Sequence, residues 1–193
     1  MKKQNQRDVQ AENRRNQLLE IALALFAERG IENVSIKTLA AEAQVAQGLI
    51  YYYFESKEAL LEAVFQQYNP FPQIQAIIEQ ASGLPVKDGL LLFTSGLARL
   101  MPERRNIFRI MLREVISPRN NLLSQALPSQ AETVKKLSQY FQERIEAGEL
   151  KPHQPVIPIQ ILVSSFLISL ITEQPLELLG PQLVETILDG IRA

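Results

Sequence analysis

Gln47, Gly48, Tyr51 and Tyr52 are the residues of this chain whose types and spacing suit chemistry at a surface. At about 100° per residue they share one side of a helix, with Ala46, Leu49, Ile50 and Tyr53 on the other. Gln47 carries an amide donor and acceptor, the complement of adenine N6 and N7 at a base edge. Gly48 allows a backbone to approach a groove wall closely. Tyr52 offers its ring to a thymine methyl or its hydroxyl to the sugar-phosphate. We therefore assign base contacts to Gln47, Gly48 and Tyr52. Ser35, Lys37, Tyr51 and Lys57 suit phosphates, which position a protein without reading sequence. Lys57 opens a helix, where free N–H groups and the dipole also favour an anion.

These side chains need a rigid mount. Val34 to Lys57 reads as a short helix, a tight turn and a second short helix, with a third beginning behind Ser56. Ser35 caps the first, which turns Ile36, Leu39, Ala40 and Ala43 inward. Ahead of it, Leu18, Ala22, Leu25 and Phe26 form one helical stripe that ends at Gly30. Behind it, Leu60, Leu61, Val64 and Phe65 form another, closed by Pro70 and Pro72. Further helices are expected near 73–82, 86–101, 104–117, 129–147, 155–172 and 181–191, punctuated by prolines such as Pro85, Pro102, Pro128, Pro152 and Pro181. Sustained two-residue alternation is absent from the sequence, so the expected class is all-α. Residues 1–13 read as a flexible basic tail. Lys2, Lys3, Arg7, Arg14 and Arg15 stand against Asp8 and Glu12 across the first fifteen positions, to meet the DNA backbone or an adjacent minor groove.

The composition closes other routes. A net charge of -1 over 193 residues excludes coating DNA by charge alone, so any binding is local and geometric. With no Cys, there are no disulfides and no thiolate chemistry. His153 sits in a turn-like Lys-Pro-His-Gln-Pro setting with no metal-ligand spacing, and is expected in a solvent-exposed loop. No metal or cofactor is expected. Glu114, Glu143 and Glu146 have ordinary surface spacing, and no Ser pairs with His and an acid, so an enzyme is not expected. The longest apolar run, Ile161 to Ile171, is too short to cross a bilayer, which points to a soluble cytoplasmic protein with no membrane partner.

Ala22…Phe26-Ala-Glu-Arg-Gly30, Val34-Ser35, Leu39-Ala40…Ala43, Val45, Gly48, Ile50-Tyr51-Tyr52-Tyr53-Phe54, Ser56-Lys57-Glu58 and Leu60 together resemble the TetR/AcrR family of transcriptional regulators. The resemblance covers about residues 14–68. It implies a three-helix DNA-binding head over 14–70, with the motif near 35–54, on a helical body over 71–193. In such proteins the body dimerises through its last two helices and holds a ligand pocket. The resemblance also implies that Ser35, Gln47, Tyr51 and Lys57 stand where relatives contact operator DNA. One residue departs from the pattern: the family's turn usually has glycine where this chain has Gln44.

For the body, Phe93, Leu97, Met101, Phe108, Met111, Leu112, Tyr140 and Phe166 are candidate pocket residues, and a filled core is the alternative for each. Arg105, Arg109 and Arg113 share one helical face, solvated or with one member turned toward a carboxylate ligand. The segment from Val156 to Ile171 is apolar on more than one face and needs two partners. Either a second copy supplies the other, through the helices near 155–172 and 181–191, or the helix is wholly buried in one chain. The expected function is a ligand-responsive regulator, a repressor, that binds a palindromic operator as a homodimer and is released by a small, largely apolar effector. The alternative is a DNA-bound interaction protein whose body engages a protein partner.

Overall fold

The computed structural model describes residues 2–116 and 128–191, which hold ten α-helices and no strand among the described residues. The first four are α1 (Lys2–Arg29), α2 (Ile36–Glu42), α3 (Gln47–Tyr53) and α4 (Lys57–Tyr68). Then come α5 (Phe71–Ser82), α6 (Val86–Glu103) and α7 (Arg105–Ile116). The last three are α8 (Pro128–Glu146), α9 (Val156–Ile171) and α10 (Leu176–Ile191). Their residues fall into two compact units, 2–69 with 109–116, and 70–108 with 128–191. One break of that division lies between residues 69 and 70. The division also passes through α7, whose later residues go with the head.

In the first unit α1 packs on α4 and α2, and α2 packs on α3. The stripes read from sequence supply its core: Leu18, Ala22, Phe26, Leu39, Ile50, Leu60, Val64 and Phe65 are almost fully buried. Each of these side chains larger than alanine contributes roughly 1.5–3 kcal/mol by leaving water. Ser35 caps α2, its Oγ accepting from the Thr38 N–H at 3.0 Å, and Ser56 caps α4 by accepting from Ala59 at 3.1 Å. Arg113 donates to the carbonyl of Glu28 at 2.9 Å, meeting one of the unpaired acceptors at the C-terminal end of α1.

The turn between α2 and α3 is a Schellman closure. Val45 N–H donates to Ala40 O at 3.0 Å and Gln44 N–H to Ala41 O at 3.2 Å. That pattern puts Gln44 at φ 54°, in the left-handed region where a side chain crowds its own backbone. The expected result for Gln44→Gly is a gain of about 1 kcal/mol in stability, measured by denaturant unfolding, with helix content unchanged.

In the second unit α6 is central, packed on α5 and α10, while α5 packs on α8 and α9 packs on α10. Gly180 lets α10 approach α6, since a Cβ there would stand 2.9 Å from the Cβ of buried Thr94. Two charged residues hold the α5–α6 corner. Glu149 accepts from the Val86 N–H at 3.0 Å, at the N-terminus of α6, and also pairs with Arg144 at 3.1 Å. Arg144 also donates to Ser82 O at the end of α5 and lies over the Tyr140 ring. Each charge thus meets the helix end whose dipole favours it. Burial pushes the Tyr140 phenol up, against the opposing pull of Arg144.

Four expectations need correction. Residues 2–13 are not a tail outside the helix: they belong to α1. Lys, Gln, Arg, Glu and Ala are good helix formers, and no Gly or Pro interrupts them, so a helix continues without an apolar stripe. Helix α10 begins at Leu176 rather than near 181 and carries Pro181 within it. Proline there removes the bond to the Glu177 carbonyl, a loss tolerated because Pro181 is on the exposed side. His153 is half-buried, its Nδ1 2.8 Å from Lys151 O and its ring edge-on to Phe141. Finally, α9 is not wholly buried in one chain: Ile157, Ile161, Ile168 and Ile171 are 40–60% exposed.

Candidate nucleic-acid interface

Helix α3 is short, and one fully buried residue, Ile50, fixes its rotation, with Leu49 and Tyr53 half-buried beside it. That leaves Gln47, Gly48, Tyr51 and Tyr52 on the exposed side, with Tyr51 53% and Tyr52 77% accessible. Neighbouring aromatic rings exposed together form the kind of surface patch that suits an interaction site. Tyr52 is held edge-on to Tyr53, ring centroids 5.1 Å apart, so it is propped rather than loose. Ala46, expected inward, is instead the exposed N-cap of α3. Its position is set by the turn and not by the helical period.

Apart from its chain neighbours and the backbone of its own helix, Gly48 has no atom within 4 Å of the place where a Cβ would stand. Nothing inside the molecule requires glycine there, and glycine in a helix costs up to about 1 kcal/mol relative to alanine. A methyl group added there would stand on the open surface of α3. Gly48→Ala is expected to raise the melting temperature while weakening binding to duplex DNA, a split that thermal unfolding and fluorescence anisotropy measure side by side.

Lys37 is exposed on α2, and Lys57 is half-buried at the start of α4. Ser35 Oγ is 2.9 Å from Thr38 Oγ1 while accepting from the Thr38 N–H, so its hydroxyl is oriented by the cap. Thr38 was not among the expected contacts; nothing short of this cap geometry points to it. The N-terminus of α4 is less open to an outside anion than its sequence suggests. Glu58 occupies it: its own backbone amide, then the Ser56 hydroxyl, hold its carboxyl below the usual range. Arg15, expected as part of the basic patch that meets DNA, has its guanidinium 5.3 Å over the ring of Phe54, the residue that ends α3, and so braces that helix from α1.

The expected pocket residues lie mostly in solid core. Phe93, Leu97, Met101, Phe108, Tyr140 and Phe166 are 0–6% exposed. Phe93 and Tyr140 border a common gap too narrow for a water molecule. Met111 and Leu112 are half-buried and belong to the other unit. Of the arginine stripe, Arg105 pairs with Glu173 at 2.8 Å and Arg113 caps α1, while Arg109 is exposed. A larger cleft of ≈ 650 Å³ opens elsewhere in the second unit, between α6 and α10, and its walls include none of the eight expected residues.

Residues 18–64 match the model of the bacterial regulatory proteins of the tetR family. Residues 18–64 are thus a tetR-type DNA-binding head. The chain is 32% identical over 75 residues to the HTH-type transcriptional repressor KstR2 of Mycolicibacterium smegmatis, a match covering 38% of this chain and 37% of that protein. The chain thus spans less than two fifths of that curated relative's length. The likeness in fold extends much further. The structure of HlyIIR, a hemolysin II transcriptional regulator, superposes with a TM-score of 0.76 over 95% of this chain and 99% of that one, at 23% identity. FadR of Bacillus subtilis, solved with stearoyl-CoA, gives 0.70 over 91% and 98%, also at 23% identity. The tetR-type head is thus joined to a body whose fold these regulators share. Among the described residues no helix is long and apolar enough to cross a membrane.

Proposed function

We propose that this chain is a ligand-responsive transcriptional repressor, acting in the cytoplasm, that binds a palindromic operator as a homodimer. The carrying observation is the exposed Gln47–Gly48–Tyr51–Tyr52 surface on a capped, core-anchored helix, flanked by Ser35, Lys37 and Lys57. Gln47, Gly48 and Tyr52 read base edges in the major groove, and the flanking residues hold phosphates. A two-fold dimer presents two such helices at a spacing of about one DNA turn, roughly 34–36 Å, or a multiple of it.

The exposed isoleucine face of α9 supports the dimer. Ile157, Ile161, Ile168 and Ile171 recur at spacings that keep one seam, and Leu178 of α10 is 65% exposed. An effector that binds the body releases DNA if it prefers the conformer that fits the operator less well, and the operator then opposes the effector by the same factor. The FadR structure holds stearoyl-CoA, which supports an apolar effector here. The same isoleucine face also suits the second reading, a body that docks a protein partner. Light scattering separates the two: self-association at micromolar concentration supports the dimer, and a monomer supports the partner.

The direct test is anisotropy with duplex DNA from upstream of the chain's own gene. The expected result is tight binding at low salt, with the logarithm of affinity falling linearly as salt rises. No binding at low salt would remove the proposal.

A further inference from the structure

The cleft between α6 and α10 has a directional lining. Asp88, Leu91, Leu92, Ser95 and Arg99 follow one another at i, i+3, i+4, i+7 and i+11 along α6, with Gly180 and Pro181 of α10 opposite. The stripe is about 16 Å long at the α-helical rise. Its polar groups are mostly engaged with their own backbone. Thr94 Oγ1 donates to Leu90 O at 2.9 Å and Ser95 Oγ to Leu92 O at 3.0 Å, so the walls present methyl and methylene groups. Its two acids have local duties: Asp88 lies in the first turn of α6 and Glu177 in the first turn of α10, where carboxylates suit the helix dipole. Arg99 has no such duty. It lies in the helix interior and is exposed, with no carboxylate within 4 Å among the described residues.

We propose that this cleft is the effector site and that it takes an elongated, apolar monoanion whose acid group is gripped by Arg99. The inference rests on the ligand-responsive reading above and relocates the site from the filled interior to the α6–α10 face. The volume of ≈ 650 Å³ is that of a small-molecule site. A guanidinium at one end of an apolar trough selects carboxylate or phosphate over neutral or cationic heads. At about 1.2 Å per bond in an extended chain, the stripe accommodates roughly a dozen carbons.

The probes are dodecanoate, dodecanol and dodecylammonium, each kept below its micelle concentration and titrated calorimetrically into the full chain. Dodecanoate is expected to bind, the other two at least about tenfold more weakly. Arg99→Gln should lose about tenfold for dodecanoate, Arg99→Lys less, and Ser95→Phe, which fills the trough from an exposed position, should abolish binding. Equal binding of all three probes would overturn the charge assignment. Dodecanoate binding that survives both Arg99→Gln and Ser95→Phe would place the ligand elsewhere and overturn the site. Binding by the Ile168→Glu monomer alone would mean a second copy covers the cleft, and would also overturn it. Upstream DNA binding separates the layers. DNA bound without any dodecanoate uptake removes the cleft and leaves the repressor; dodecanoate bound without DNA does the reverse.

Discussion

Ile168→Glu is expected to turn the protein into a monomer and to lower operator affinity by about a thousandfold or more. Ile168 is 60% exposed within one chain, so a glutamate there is solvated in the monomer and leaves the fold intact. In a two-fold interface the same change acts twice. It removes two apolar contacts of roughly 1.5–3 kcal/mol each and sets two carboxylates in an apolar seam. Without the partner, a single head binds in the range typical of non-specific contacts, about 10⁻⁴–10⁻⁶ M, instead of the roughly 10⁻⁸–10⁻¹¹ M of specific complexes. Sedimentation, circular dichroism and anisotropy give the three readouts. A variant that remains dimeric and binds operator normally would show that the isoleucine face is not the seam.

Gln47→Ala and Lys57→Ala are expected to fail in different ways. Loss of the Gln47 amide should cost about 1–3 kcal/mol against the preferred base pair and little against others, flattening preference at one operator position. Loss of Lys57 should weaken all duplexes alike and reduce the salt slope by about 1. Neighbouring Glu58, whose carboxyl is held low, stays ionised in both experiments and does not confuse the comparison. Operator variants changed one base pair at a time, each measured over a salt series, provide the check. If the two substitutions gave the same pattern, base and phosphate roles would have to be reassigned.

What the sequence reveals follows from what periodicity can encode. Each stripe of the head, from Leu18–Phe26 to Leu60–Phe65, marks the face that one helix buries, and those faces are buried. Proline and glycine marked most helix ends because they act on the backbone locally. The failures arise where a partner or a continuation decides. The N-terminal half of α1 has no apolar stripe, so its helicity left no periodic trace. Pro181 lies inside α10 because the lost hydrogen bond falls on an exposed side, which a local rule does not weigh. Apolar side chains such as Phe93 and Phe166 look alike in sequence whether they line a cavity or fill one. The α6–α10 cleft depends on how two helices distant in sequence approach at Gly180 and Thr94, and no single stripe records that.

The helical state of residues 2–13 has one more consequence. An α-helix with side chains is about 10–12 Å across, whereas the minor groove of B-form DNA is about 6 Å wide. While that segment stays wound, its backbone is too wide to lie in the minor groove as an extended tail would. A contact in which this segment's backbone tracks the groove must first unwind that part of α1, making it a coupled melting event favoured by warming.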